Sequence, residues 1–152
     1  MGLVWQKIRI ANAARPEVEE VDAHALVDSG AIDLCIPPLV AKQLKLQKSG
    51  TRTITVADGR KVDVDYVGPV AVELFGRRAF TGAMVVGEGV LLGAIPMESL
   101  DVLIDPQRQQ LIPNPENPER PGALVMTHWV AHIPSPRPAD AESPSPQEGE
   151  GQ

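Results

Sequence analysis

Ala25-Leu26-Val27-Asp28-Ser29-Gly30-Ala31 is the stretch of this 152-residue sequence best equipped for chemistry. An apolar strand runs straight into an acid, then a hydroxyl, then two small residues. A carboxylate at the end of a buried strand suits acid/base work better than packing. Gly30 and Ala31 leave the backbone open to close approach by a substrate or a second chain, and Ser29 can hydrogen-bond across such an approach. The same residues would also serve a plain turn, with Asp28 or Ser29 capping local amides.

Other reactive side chains have simpler readings. Asp63 and Asp65 lie two apart on one strand face, where solvated acids are common. His128 and His132 have the i, i+4 spacing of a helical metal pair but no third ligand nearby, so no metal is expected. His24 shares a strand face with Asp28, yet four residues span about 13 Å along a strand. Cys35, between Leu34 and Ile36, reads as a small buried hydrophobe. Lys42, Lys45 and Lys48 read as the solvated side of a helix. No glycine-rich phosphate loop occurs.

The elements that must position Asp28 read mostly as β. Residues 1–10 and 20–27 predict the first two strands, joined near Ala14-Arg15-Pro16. Residues 54–56 and 62–67 flank Asp58-Gly59, a dipeptide that tolerates positive φ in a tight hairpin. Val62, Val64 and Tyr66 alternate with Lys61, Asp63 and Asp65, the period-2 pattern of a strand with one wet face. A second hairpin, residues 70–75 and 78–86, turns at Gly76-Arg77. Proline near a first turn signals short helices over 38–44 and 96–100. Strands over 102–104 and 109–112 close the body around Asp105-Pro106. Many short strands at turn-delimited spacing predict a small all-β barrel or sandwich.

Proline marks where this body ends. Nine of the 15 prolines fall after Ile112. Residues 1–112 carry 12 basic against 14 acidic side chains, a net of −2, and residues 113–152 carry 2 against 6, a net of −4. From Ser135 onward no aliphatic residue exceeds alanine, so the tail is expected to be largely disordered. One apolar island, residues 123–133, could form a short docking helix or strand. The division is therefore 1–113 for the domain and 114–152 for the tail, and deleting 114–152 is expected to leave the fold intact. A lone Cys closes no intramolecular disulfide. The acidic balance argues against nucleic acid as a partner, and no apolar run suits a membrane span. With no export signal at the start, a cytoplasmic location is expected.

The Asp28 stretch resembles the active-site signature of the retroviral-type aspartic proteases, apolar-apolar-Asp-Thr/Ser-Gly-Ala. The likeness continues in order along the chain. A flap hairpin is matched by residues 53–66 around Asp58-Gly59, and a second hairpin by 70–86. An apolar-apolar-Gly motif leading into a helix is matched by Leu91-Leu92-Gly93. With its Ala-Asp-Gly-Arg hairpin and Leu-Leu-Gly-x-x-Pro segment, the chain is most similar to bacterial and archaeal single-lobe members of that clan. The resemblance spans residues 1–113.

It implies the closed retropepsin fold, all-β with one or two short helices, and an aspartic endopeptidase with no cofactor. Asp28 would be the catalytic acid/base, Ser29 would bond across a dimer axis, and Gly30 would present its backbone to a polypeptide bound as an extended strand. Ala57, Asp58, Gly59, Arg60 and Lys61 would form the flap tip. Such chemistry needs two carboxylates sharing a proton. One chain supplies one Asp-Ser-Gly, which implies a homodimer, joined in this family through terminal strands, here near 4–10 and 109–112. Ile32 and Ala94 stand where retroviral enzymes usually carry an acid and an arginine that pair with each other. The flap lacks their paired glycines. A silent dimerisation or peptide-binding module of the same fold is the alternative, and a third reading has the tail occupying the cleft.

Overall fold

The computed structural model describes residues 2–125. Nine strands and two helices follow one another: β1 (Val4–Asn12), β2 (Val21–Val27), β3 (Leu34–Ile36), α1 (Pro38–Gln43), β4 (Gln47–Thr55), β5 (Lys61–Leu74), β6 (Arg77–Val85), β7 (Val90–Leu92), α2 (Ala94–Leu100), β8 (Val102–Asp105) and β9 (Gln110–Pro113). Seven of them form one sheet in the order β1-β2-β7-β3-β6-β5-β4. Because β1 also pairs with β5, with Ile10 opposite Val72, six strands close into a barrel and β4 is left outside as the arm of a hairpin. β8 and β9 make a separate two-stranded sheet.

Alternation along the strands fills the barrel. Ile8 and Ile10 of β1, Ala25 and Val27 of β2, Leu34 and Ile36 of β3, and Val90 and Leu92 of β7 all point into it and are buried. The short helices survive by packing rather than by propensity, since one or two turns are marginal alone. Val40 and the adjoining Leu44 anchor α1, and Met97 and Leu100 anchor α2. Proline opens α1 as expected.

Several expectations change. Residues 62–67 and 70–75 are one strand, β5, whose register against β6 shifts between Val67 and Val70 around the cis Gly68–Pro69 bond. Lys48 belongs to β4 and pairs with Asp65 at 3.1 Å, and Lys45 follows α1 in a left-handed conformation (φ 52°). Only Lys42 lies on the helix. The turn into β6 is at Phe75-Gly76, because Arg77 already pairs with Leu74. Cys35 is half-buried on the barrel exterior, in β3, and burial pushes its thiol pKa up.

The chain does not leave the body at Pro113. Arg77, buried to 4 % exposure, donates to the carbonyls of Leu100 (3.1 Å) and Asp101 (2.8 Å) and to that of Asn117. Asp101, left-handed at the end of α2 (φ 54°), accepts from Asn114 Nδ2 (3.0 Å), Asn117 Nδ2 (2.8 Å) and the Gly122 amide (2.8 Å). Residues 114–122 are thus tied to the α2–β8 junction. Proline prevents a regular element here, but it does not prevent side chains from holding the chain down. Leu124 and Val125 are exposed. The rest of the apolar island, with His128 and His132, lies outside the described residues.

Candidate active site

β2 ends at Val27, just before the turn at Ser29-Gly30. Up to Val27 the strand runs parallel to β7, with Leu26 beside Leu91 and Val27 beside Leu92. The Asp28 amide then donates to Leu92 O at 3.0 Å, which stitches the acid to β7. Asp28 Oδ1 accepts from the Gly30 amide at 2.9 Å, and Ala31 N returns to Asp28 O at 3.2 Å. These local bonds are the turn capping considered above, and they leave the acid exposed. Asp28, Ser29 and Gly30 are all solvent-facing at the rim of the barrel.

The Leu91-Leu92-Gly93 motif sits directly against this loop. Gly93 has backbone of Asp33 and Ala31 where a Cβ would be, so no other residue fits without movement. Beyond it the first amides of α2 bind the loop: Ala94 N donates to Ala31 O at 2.8 Å, and Ile95 N to Ile32 O at 2.9 Å. Amides that a helix start leaves free are thereby satisfied by the acid's own loop. Ile32 and Ile95 are 65 % and 46 % exposed, an apolar patch beside Asp28 at the place where a charge pair was expected to be missing.

The flap candidates lie at the end of the β4–β5 hairpin. Its last paired residues are Thr55 and Lys61, so five residues make the connection. Val56 N bonds Arg60 O (2.9 Å), and Gly59 N bonds Val56 O (2.9 Å) with Gly59 at φ 87°. Asp58 receives the Arg60 amide at 3.0 Å and its guanidinium at 2.7 Å. The amide first, and the guanidinium second, hold the Asp58 carboxyl below the usual carboxylate range. Ala57, Asp58, Gly59, Arg60 and Lys61 are exposed. No hydrogen bond joins them to the Asp28 loop among the described residues, so the tip stands as a separate arm rooted in β5.

Asp63 accepts from Thr53 (2.7 Å), and Asp65 pairs with Lys48, as expected for the wet face of that arm. His24 is exposed opposite Lys7 on β1. Sequence reasoning missed Tyr66, Met84 and Cys35 as neighbours of the site's face. Period-2 counting back from Asp28 finds Leu26, but the rest of that face depends on cross-strand register.

No family model and no curated protein matches the chain. Among solved structures it is similar to the EIAV protease complexed with the inhibitor HBY-793, at 18 % identity and a TM-score of 0.51. The match covers 65 % of this chain and 88 % of that one. Among the described residues, no helix is long and apolar enough to cross a membrane. At that identity the likeness concerns architecture alone, and its closed six-stranded barrel with two short helices gives this chain a retropepsin-like fold.

Proposed function

We propose that the domain of residues 1–113, with the anchoring residues 114–122, is an aspartic endopeptidase that works as a homodimer in the cytoplasm. The observation that carries this reading is the exposed Asp28 at the end of β2, in a loop fastened from behind by Leu92 and the first amides of α2. Asp28 of one protomer and Asp28 of the partner subunit share one proton. The ionised carboxylate takes a proton from water as the water oxygen bonds to the peptide carbonyl carbon. The protonated one gives its proton to the carbonyl oxygen. As the tetrahedral intermediate collapses, the carboxyl that took the water's proton passes it to the amine nitrogen, the C–N bond breaks, and a hydroxyl of the diol gives a proton to the other carboxylate, which restores the dyad.

Ser29 bonds across the dimer axis and holds the two carboxylates coplanar, and Gly30 offers backbone to an extended peptide substrate. The arm carrying Ala57 to Lys61 closes over it and excludes water. No metal or organic cofactor takes part, and nucleic acid and membranes are not partners.

The test is cleavage of a peptide library from acid to neutral pH by wild type and Asp28→Asn, with the oligomeric state measured alongside. Asp28→Asn is expected to remove cleavage by at least ~1000-fold, the scale on which a missing catalytic group acts. Cleavage indifferent to that change overturns the role of Asp28. A demonstrated dimer that cleaves nothing at any pH points instead to a peptide-binding module.

A further inference from the structure

We propose that Arg52, stacked on Tyr66, forms an anion-accepting subsite that selects extended peptides carrying a glutamate or aspartate outside the apolar residues at the cleaved bond. The proposal rests on the peptidase reading for the face on which the peptide lies. That face can be followed by register. Leu26 lies two residues before Asp28 on β2 and shares its side of the strand. From Leu26, residues paired Cα to Cα run across the barrel: Leu26 with Leu91, Leu91 with Cys35, Cys35 with Met84, and Met84 with Tyr66. All five are half-buried, whereas their neighbours Val27, Leu92, Ile36, Ala83 and Val67 point inward and are buried. The row is an apolar floor on the barrel exterior, beginning beside the acid and ending at the root of the β4–β5 arm.

At Tyr66 the chemistry changes. Tyr66 faces Gly50 across β4, and its ring spreads over Gly82 of β6, where a Cβ would collide with Cζ and Oη. Gly82 therefore makes room for the ring. Arg52 lies two residues beyond Gly50, on the same side of β4, with its guanidinium carbon 4.2 Å from the ring centroid. Stacking restrains the guanidinium plane and leaves its edge donors open, the geometry that takes a carboxylate by two parallel bonds. The arm's other cations are directed elsewhere. Lys48 pairs with Asp65 at 3.1 Å and Arg60 with Asp58 at 2.7 Å, while Lys61 lies on the opposite face with Thr55. Arg52 makes no ion pair among the described residues and is exposed. Apolar floor and stacked cation together read as a recognition pattern: apolar side chains near the bond, one acid farther out.

The test uses short peptides with a central Leu-Leu bond and Glu, Gln or Lys placed in turn at each outer position. Affinity is measured by fluorescence anisotropy on the Asp28→Asn protein, and cleavage on the protein with Asp28 intact. One outer position is expected to favour Glu over Gln about fivefold in Kd and in kcat/KM, as befits a partly exposed charged pair. The preference should fade at high salt. Arg52→Gln removes it, Arg52→Glu turns it toward Lys, and Tyr66→Leu weakens it by freeing the guanidinium. Thermal melts verify that these variants fold. The subsite is overturned when no outer position distinguishes Glu from Gln, or when the preference survives Arg52→Gln. A protein that binds with the Arg52-dependent preference but cleaves nothing keeps the subsite and loses the peptidase reading. One that cleaves without the preference does the reverse.

Discussion

Gly93 does more for the site than its missing side chain suggests. It is the point where β7 turns into α2, and backbone atoms of the acid's loop occupy the space a Cβ would need. Gly93→Ala must therefore push that loop outward. Overpacking of this kind costs about 1–3 kcal/mol, to be read from the urea midpoint. Because the Asp28 amide is bonded to Leu92 O, one residue before the glycine, the same shift moves the acid. A displacement near 1 Å is worth ~100-fold in rate where groups must align. Peptide cleavage is thus expected to fall far more than stability does. A variant as active as wild type would show that the contact does not position Asp28.

Two elements depend on charge in opposite settings. At the end of the β4–β5 hairpin, Asp58 and Arg60 close an exposed loop. Asp58 titrates below its ordinary value, so the clasp's contribution is fully present above the ordinary carboxylate pKa and is lost as pH falls through the lowered one. Asp58→Asn should accordingly loosen the loop at neutral pH, seen as faster amide exchange at Gly59 and Arg60. At acid pH, where both proteins lack the charge, the difference should vanish, and a difference persisting there would refute the clasp. At the α2–β8 junction the setting is buried. Arg77 has three carbonyl acceptors and Asp101 at 4.0 Å, so Arg77→Met strands acceptors in a dry site. A loss of about 3 kcal/mol in urea unfolding is expected, on the scale measured for breaking a buried charged hydrogen-bond network.

For the molecule as a whole, the question is where the folded unit stops. Asn114, Asn117 and Gly122 donate to Asp101, and these donors hold its carboxyl below the usual range, Asn114 foremost. Truncation after Pro113 removes all three, whereas truncation after Val125 keeps them. The shorter protein should melt lower than the longer one at neutral pH. The gap should narrow as pH falls through the lowered Asp101 value, because the stability contributed by a depressed carboxylate is lost there. Equal melting curves at neutral pH would show that residues 114–122 are not part of the fold. Sedimentation of both forms across concentration reports on the proposed homodimer directly, and a protein that stays monomeric at high concentration removes the shared dyad.

Much of the site was legible in order along the chain. Asp28-Ser29-Gly30, the hairpin around Asp58-Gly59, and Leu91-Leu92-Gly93 each announce themselves through local chemistry: a carboxylate after an apolar run, a positive-φ dipeptide, a glycine before a helix. The alternation of Val62, Val64 and Tyr66 likewise declared a strand, because period 2 is a local property. The three-residue strands β3 and β7 did not, since so short a run carries no period. Their pairing is what brings Leu91 beside Leu26 and aligns Cys35, Met84 and Tyr66 with Leu26. Parallel ladders such as β2–β7 join segments far apart in sequence, and no local signal encodes their register. The hold of Arg77 and Asp101 on residues 114–122 was equally silent, because side-chain bonds to backbone leave no pattern in a sequence. The sequence by itself determined where an acid follows an apolar strand and which residues turn the chain around it. Only the tertiary structure decided what faces that acid, and where the folded body ends, since both follow from contacts between residues that are neighbours only after the barrel closes.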